Sequence, residues 1–105
     1  MAEVKYSAAS ISDLEQIGDY IAETLKNPVA ALNTVNKICE TIDTLNLFPL
    51  IGAEPSSITE IDTDYRFLIS GNYIVFYRIQ TDCVYIDRVL YGKRDYISIL
   101  FGSLL

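Results

Sequence analysis

The chain has 105 residues, half of them apolar, and a formal net charge of −6 from 14 acidic and 8 basic side chains. That length supports one modest core over residues 1–105, and no stretch approaches the ~18 uninterrupted apolar residues of a membrane span. It contains no histidine, which excludes Ser-His and Cys-His nucleophile schemes and removes the commonest general base and metal ligand.

Val4–Ser7 reads as a short first strand. Ser12-Asp13-Leu14-Glu15 has the pattern of a capping box, in which a hydroxyl and a carboxylate satisfy orphan backbone donors at a helix start. The helix it opens sets Leu14, Ile17, Ile21 and Leu25 on one face and Glu15, Asp19 and Glu23 on another, a solvated acidic stripe. Gly18 lies near the apolar stripe, where a missing side chain lets a second helix come close. Asn27-Pro28 ends this helix and starts the next, since Asn caps and Pro suits the first helical position. The second helix carries Leu32, Val35, Cys39, Ile42 and Leu45 at helical spacing, so the two form an antiparallel hairpin. Phe48-Pro49 closes it, and residues 50–59 form a loop.

The period then changes. Tyr65–Ser70, Tyr73–Gln80 and Cys83–Leu90 are rich in Val, Ile, Tyr and Phe and are separated by Gly71-Asn72 and Thr81-Asp82. Two-residue turns would make them an antiparallel meander, followed by an apolar tail, Tyr96–Leu105, helical at its start. The fold class is therefore α+β: a strand, a helical hairpin, a three-stranded meander and a tail. Cys39 and Cys83 have no paired spacing and read as reduced, packed thiols. The acids lack metal-loop spacing and no glycine-rich phosphate loop occurs, so no metal and no cofactor is expected. No charged region precedes an apolar run and a cleavage site, so a cytosolic protein is expected.

Charge is segregated. Residues 1–65 carry 3 basic against 11 acidic side chains, whereas residues 66–105 carry 5 against 3, with every arginine between 66 and 94. The basic end lies in Arg88-Val89-Leu90-Tyr91-Gly92-Lys93-Arg94-Asp95-Tyr96, where a strand runs into positive charge and hints at a binding surface. Two-residue turns would set Ser70 opposite Tyr73 and Gln80 opposite Cys83. Arg66, Tyr77 and Arg88 would then share one face, while Arg78 would lie on the other, beside Tyr85 and paired with Asp87. The first cluster, extended by Lys93 and Arg94, is the candidate open face. Arg66 has a second reading, as a salt bridge to Asp62 or Asp64. Tyr73, Tyr77 and Tyr85 read as amphipathic core residues whose hydroxyls reach the rim. Tyr91 stands out because it lies inside the basic run. The binding candidates are thus Arg66, Tyr77, Arg88, Tyr91, Lys93 and Arg94, with Arg88 and Arg94 expected to be removable without unfolding.

Several stretches together resemble one family. The helical hairpin opening with Asp13-Leu14-Glu15-Gln16-Ile17-Gly18-Asp19-Tyr20-Ile21, the following Leu45-Asn46-Leu47-Phe48-Pro49, and the meander Gly71–Ile79 leading into Arg88–Asp95 are similar to the RelE/ParE superfamily of type II toxins. The resemblance covers essentially the whole chain. It implies a bacterial cytosolic toxin encoded beside an antitoxin whose extended segment wraps and neutralises it, with no direct sequence-specific DNA binding alone. RelE-like members cut mRNA at the ribosome with strand-borne basic residues; ParE-like members poison DNA gyrase without nuclease chemistry. The catalytic arginine of the RelE-like group follows the aromatic residue that starts the middle strand, and here Ile74 follows Tyr73. Arg94 matches the arginine after the Gly-Lys pair, Arg66 could stand in for a second-strand cation, and Ile99, Leu100 or Phe101 holds the place of a terminal tyrosine. Tyr91 stands where the ParE-like ending usually has His. The resemblance therefore implies a ParE-like, protein-binding toxin, with the mRNA endonuclease and a non-toxic family member as alternatives.

Overall fold

Residues 2–52 and 65–92 are described by a computed structural model. Strand β1 spans Glu3–Tyr6, helix α1 Ala8–Asp19 and helix α2 Pro28–Asp43; β2 is Tyr65–Ser70, β3 Tyr73–Gln80 and β4 Cys83–Tyr91. The four strands form one sheet in the order β1-β4-β3-β2. β1 lies parallel to β4, and the meander is antiparallel. This is the α+β arrangement expected from the sequence.

The first strand ends one residue early, because Ser7 is taken by the helix. Its hydroxyl accepts from the Ser10 N–H at 2.9 Å and donates to the Asp87 carbonyl at 2.7 Å. The start of α1 is therefore Ser7, not the Ser12–Glu15 box. Ser12 lies inside the helix, with its hydroxyl accepting from Gln16 at 3.0 Å. After Asp19 the helix widens into a π-helical turn, Tyr20–Thr24. One extra residue per turn shifts the phase of all that follows, and Leu25, expected on the apolar face, is 56% exposed. Lys26 closes the element in a left-handed conformation, φ 54°. Asn27 then caps α2 through the Ala30 N–H, with Pro28 in the first turn, as the sequence predicts.

The apolar face of α2 also lies elsewhere than its Leu32–Val35–Cys39 spacing suggests. Ala31, Ile38 and Ile42, with Leu45 beyond the helix, are buried, while Leu32 is 63% exposed. Two neighbours share this helix. Ile38, Ile42 and Leu45 meet the sheet, whereas a Cβ at Gly18 of α1 would stand 3.5 Å from Val35, so the helices approach closely there. Leu32 is left facing solvent.

Paired strand residues project from the same face and successive residues alternate. Val75, Tyr77, Val84, Ile86 and Val89 form the main core with Ile38, Ile42 and Leu45. Phe67, Phe76 and Leu90, with Tyr65 and Ile74 against them, cluster on the opposite face. The first hairpin turn has Gly71 at φ 58°, a backbone that side chains resist. The predicted pairs Ser70–Tyr73, Arg66–Tyr77, Gln80–Cys83 and Tyr77–Ile86 all form. Beyond them a bulge intervenes. Phe76 faces Arg88 while Tyr77 faces Ile86, which leaves Asp87 as the additional residue.

Candidate functional site

β1 stops at Tyr6, opposite Ile86, so from Asp87 onward the outer edge of β4 lacks a neighbouring strand among the described residues. Other groups continue the pairing. The Ser7 N–H donates to the Ile86 carbonyl at 2.9 Å, the Ser7 hydroxyl serves the Asp87 carbonyl, and the Asp13 carboxylate accepts from the Val89 N–H at 2.9 Å. The same carboxylate takes Arg88 in a bidentate grip, Nε on Oδ2 and Nη2 on Oδ1, both at 2.8 Å. This hydrogen bonding to Asp13 raises the Arg88 pKa further, against the opposing effect of its burial. Arg88 is thus fastened to α1. It belongs to the connection between helix and sheet, and the bulge separates it from the face of Tyr77 on which it was expected.

Tyr77 is fully buried. Its hydroxyl donates to the Pro49 carbonyl and accepts from the Gly52 N–H, each at 2.9 Å, and burial pushes its pKa up. The Gly52 carbonyl in turn accepts from Arg66 Nη1 at 2.9 Å. Arg66 and Tyr77 do come together, as their pairing predicts, but they grip the chain after α2 and do not form an open binding face. On the other face, Arg78 lies 3.6 Å from Asp87, and its guanidinium stands 5.5 Å over the Tyr65 ring. The Tyr65 hydroxyl donates to Asp87 at 2.6 Å. Burial, followed by the Asp87 carboxylate, pushes the Tyr65 pKa up to about 12. The expected Arg78–Asp87 pair is therefore present. Lys93 and Arg94, the alternative partners of Arg66 at 62 and 64, and the tail from Tyr96 all lie outside the described residues.

A groove of about 700 Å³ lies between the helical hairpin and the ends of β3 and β4. Ile17, Ile21, Leu25 and Ala30 provide apolar wall, and Gln16, Thr34 and Asn72 provide polar rim. Three tyrosines converge on it. Tyr73 and Tyr91 meet edge to face, with ring centroids 5.7 Å apart. Tyr20 enters from the π-helical turn and is 54% exposed. The Tyr73 pKa is raised by burial and then by the nearby phenols of Tyr91 and Tyr20. Of the six sequence candidates, Tyr91 alone among those described takes part in this groove.

Sequence reasoning missed Asp13, Tyr20 and the groove itself. Asp13 was legible: it falls one helical turn before Ile17 and two before Ile21, and a carboxylate on a buried stripe requires a partner. Tyr20 was not, because nothing in the spacing announces a π-helical turn.

The geometry can be set beside known proteins. A family model described as the ParE toxin of the type II toxin–antitoxin system, parDE, matches residues 4–96. Among solved structures, the chromosomal ParDE TA system from P. aeruginosa superposes with a TM-score of 0.75 at 22% identity, covering 89% of this chain and 98% of that one. The E. coli DinJ–YafQ complex superposes with a TM-score of 0.51 at 15% identity, covering 97% and 100%. No curated protein sequence matches at a significant level. The structural likenesses establish the fold.

Proposed function

This chain belongs to the ParE family of type II toxins, and on that premise we propose that it is a growth-inhibiting toxin, neutralised by a cognate antitoxin, that acts in the cytoplasm by gripping DNA gyrase. The observation that carries this reading is the commitment of the strand-borne arginines. Arg88 is held by Asp13, Arg78 by Asp87 and Tyr65, and Arg66 donates to Gly52. Cutting RNA by 2′-hydroxyl attack needs cations on the developing phosphorane charge and groups that take and give a proton. Ile74, at the position where RelE-like toxins carry their arginine, packs against the Phe67–Phe76–Leu90 cluster. The phenols of Tyr65, Tyr73 and Tyr77 all have raised pKa values and hold their protons more tightly than a free tyrosine, which suits packing better than general-base work.

The groove beside the helical hairpin is the natural seat of the antitoxin, since an amphipathic segment could cover its apolar wall while meeting the polar rim. The basic pair Lys93-Arg94, one glycine beyond β4, favours a second reading as a ribosome-dependent mRNA endonuclease. Inducing the protein without its antitoxin separates the readings. Growth arrest with gyrase-dependent DNA breaks is expected, along with inhibition of purified gyrase. Ribosome-bound mRNA cut at codons would replace gyrase with the ribosome as target, and normal growth would mark a family member that has lost toxicity.

A further inference from the structure

The tyrosine trio at the end of the groove has a chemistry that the family does not by itself supply. Tyr73 and Tyr91 meet edge to face, and Tyr20 lines the same groove, so three aromatic side chains border one space. Aromatic faces attract cations, most strongly where several rings share one site and water is partly excluded. The surrounding charge has the matching sign. The helical wall, residues 8–43, carries two lysines against six acidic side chains, a net of −4. No basic side chain stands among the described residues lining the groove. Its one acidic member, Asp13, is already saturated by Arg88 and the Val89 N–H. A cation entering from outside would therefore meet no resident competitor and no carboxylate free to bind it directly.

We propose that the groove takes an amphipathic segment of the partner antitoxin that lays apolar side chains on Ile17, Ile21, Leu25 and Ala30 and carries one lysine or arginine into the pocket of Tyr20, Tyr73 and Tyr91. This rests on the reading of the chain as an antitoxin-bound toxin and adds the chemical identity of the contact. It also gives Tyr91 a defined role, as one wall of a cation site.

The test is a double-mutant cycle with the antitoxin chain encoded beside this one. Each lysine and arginine of the antitoxin is changed singly to glutamine. Affinity is measured against the wild-type toxin and against Tyr20→Leu/Tyr91→Leu, which keeps apolar area and removes the aromatic faces. Both tyrosines are more than one third exposed, so the variant should fold. Thermal unfolding checks this, and Tyr20→Leu alone carries the cycle if the double variant is unstable. One antitoxin position is expected to lose roughly three- to thirtyfold in affinity against wild type and little against the leucine variant, in line with a cation over aromatic rings. Tight binding with no such coupling at any position overturns the cation site while leaving the antitoxin reading intact. No complex with wild-type toxin overturns the antitoxin reading itself, and the cation site with it.

Discussion

Asp13 fastens α1 to β4. It is 7% exposed and serves three donors from β4. Removing one partner of a largely buried pair costs far more than the pair contributes against an apolar replacement, because the remaining charge is left uncompensated. Arg88 retains a quarter of its side chain in solvent, which moderates the loss. Asp13→Ala is expected to lower stability by about 3 kcal/mol, measured as a reduced urea midpoint with an unchanged slope. Arg88→Ala should also destabilise, so loss of toxicity in that variant would report folding and not target contact. The expectation that Arg88 can be removed harmlessly is thereby replaced.

At the scale of elements, Tyr65, Arg78 and Asp87 tie the three strands of the meander across the face opposite the helices. Asp87 can do so because the bulge makes it an additional residue in β4. The tie is sensitive to pH in a direction set by Tyr65. Its pKa is raised from 10.0 to about 12 in the folded protein, so its stabilising contribution is fully present below pH 10 and is lost as pH rises through 12. Tyr6, whose pKa is also pushed up to about 12 by burial and by Cys39 and Asp43, adds to the same alkaline decline. Tyr65→Phe is expected to cost about 1 kcal/mol at neutral pH and to flatten part of the fall in stability between pH 10 and 12. Urea titrations at a series of pH values read both effects. A mutant with the same alkaline slope as wild type would assign the decline to Tyr6 and other groups.

For the whole molecule, the three described arginines are bonded within the fold, and the acidic helical hairpin flanks the groove. On the proposed reading as a target-gripping toxin, the contact is assigned to Lys93 and Arg94, which follow Gly92 after β4. Lys93→Ala with Arg94→Ala is expected to weaken binding to the purified target by roughly tenfold, about 1.4 kcal/mol, and to relieve growth inhibition, with no change in thermal midpoint. Unaltered toxicity in a stable double variant would move the target surface to the groove or the hairpin.

The α+β order, both helix junction residues at Asn27-Pro28, the register of the first hairpin, that of the second as far as Ile86, and the family were all legible in the sequence. Each depends on local signals: hydrophobic period, cap chemistry and turn residues act over a few positions. The fate of the arginines was not legible. A single additional residue at Asp87 moved Arg88 off the face of Tyr77, and the π-helical turn turned Tyr20 and Leu25 toward the groove. Bulges and widened turns answer to packing between elements distant in the chain, which no local period records. The sequence alone determined a small acidic toxin fold with a basic ending. The tertiary structure decided that its arginines on β2, β3 and β4 face partners within the fold, because only the packing of distant elements brings Gly52 to Arg66, Asp87 and the Tyr65 ring to Arg78, and Asp13 to Arg88.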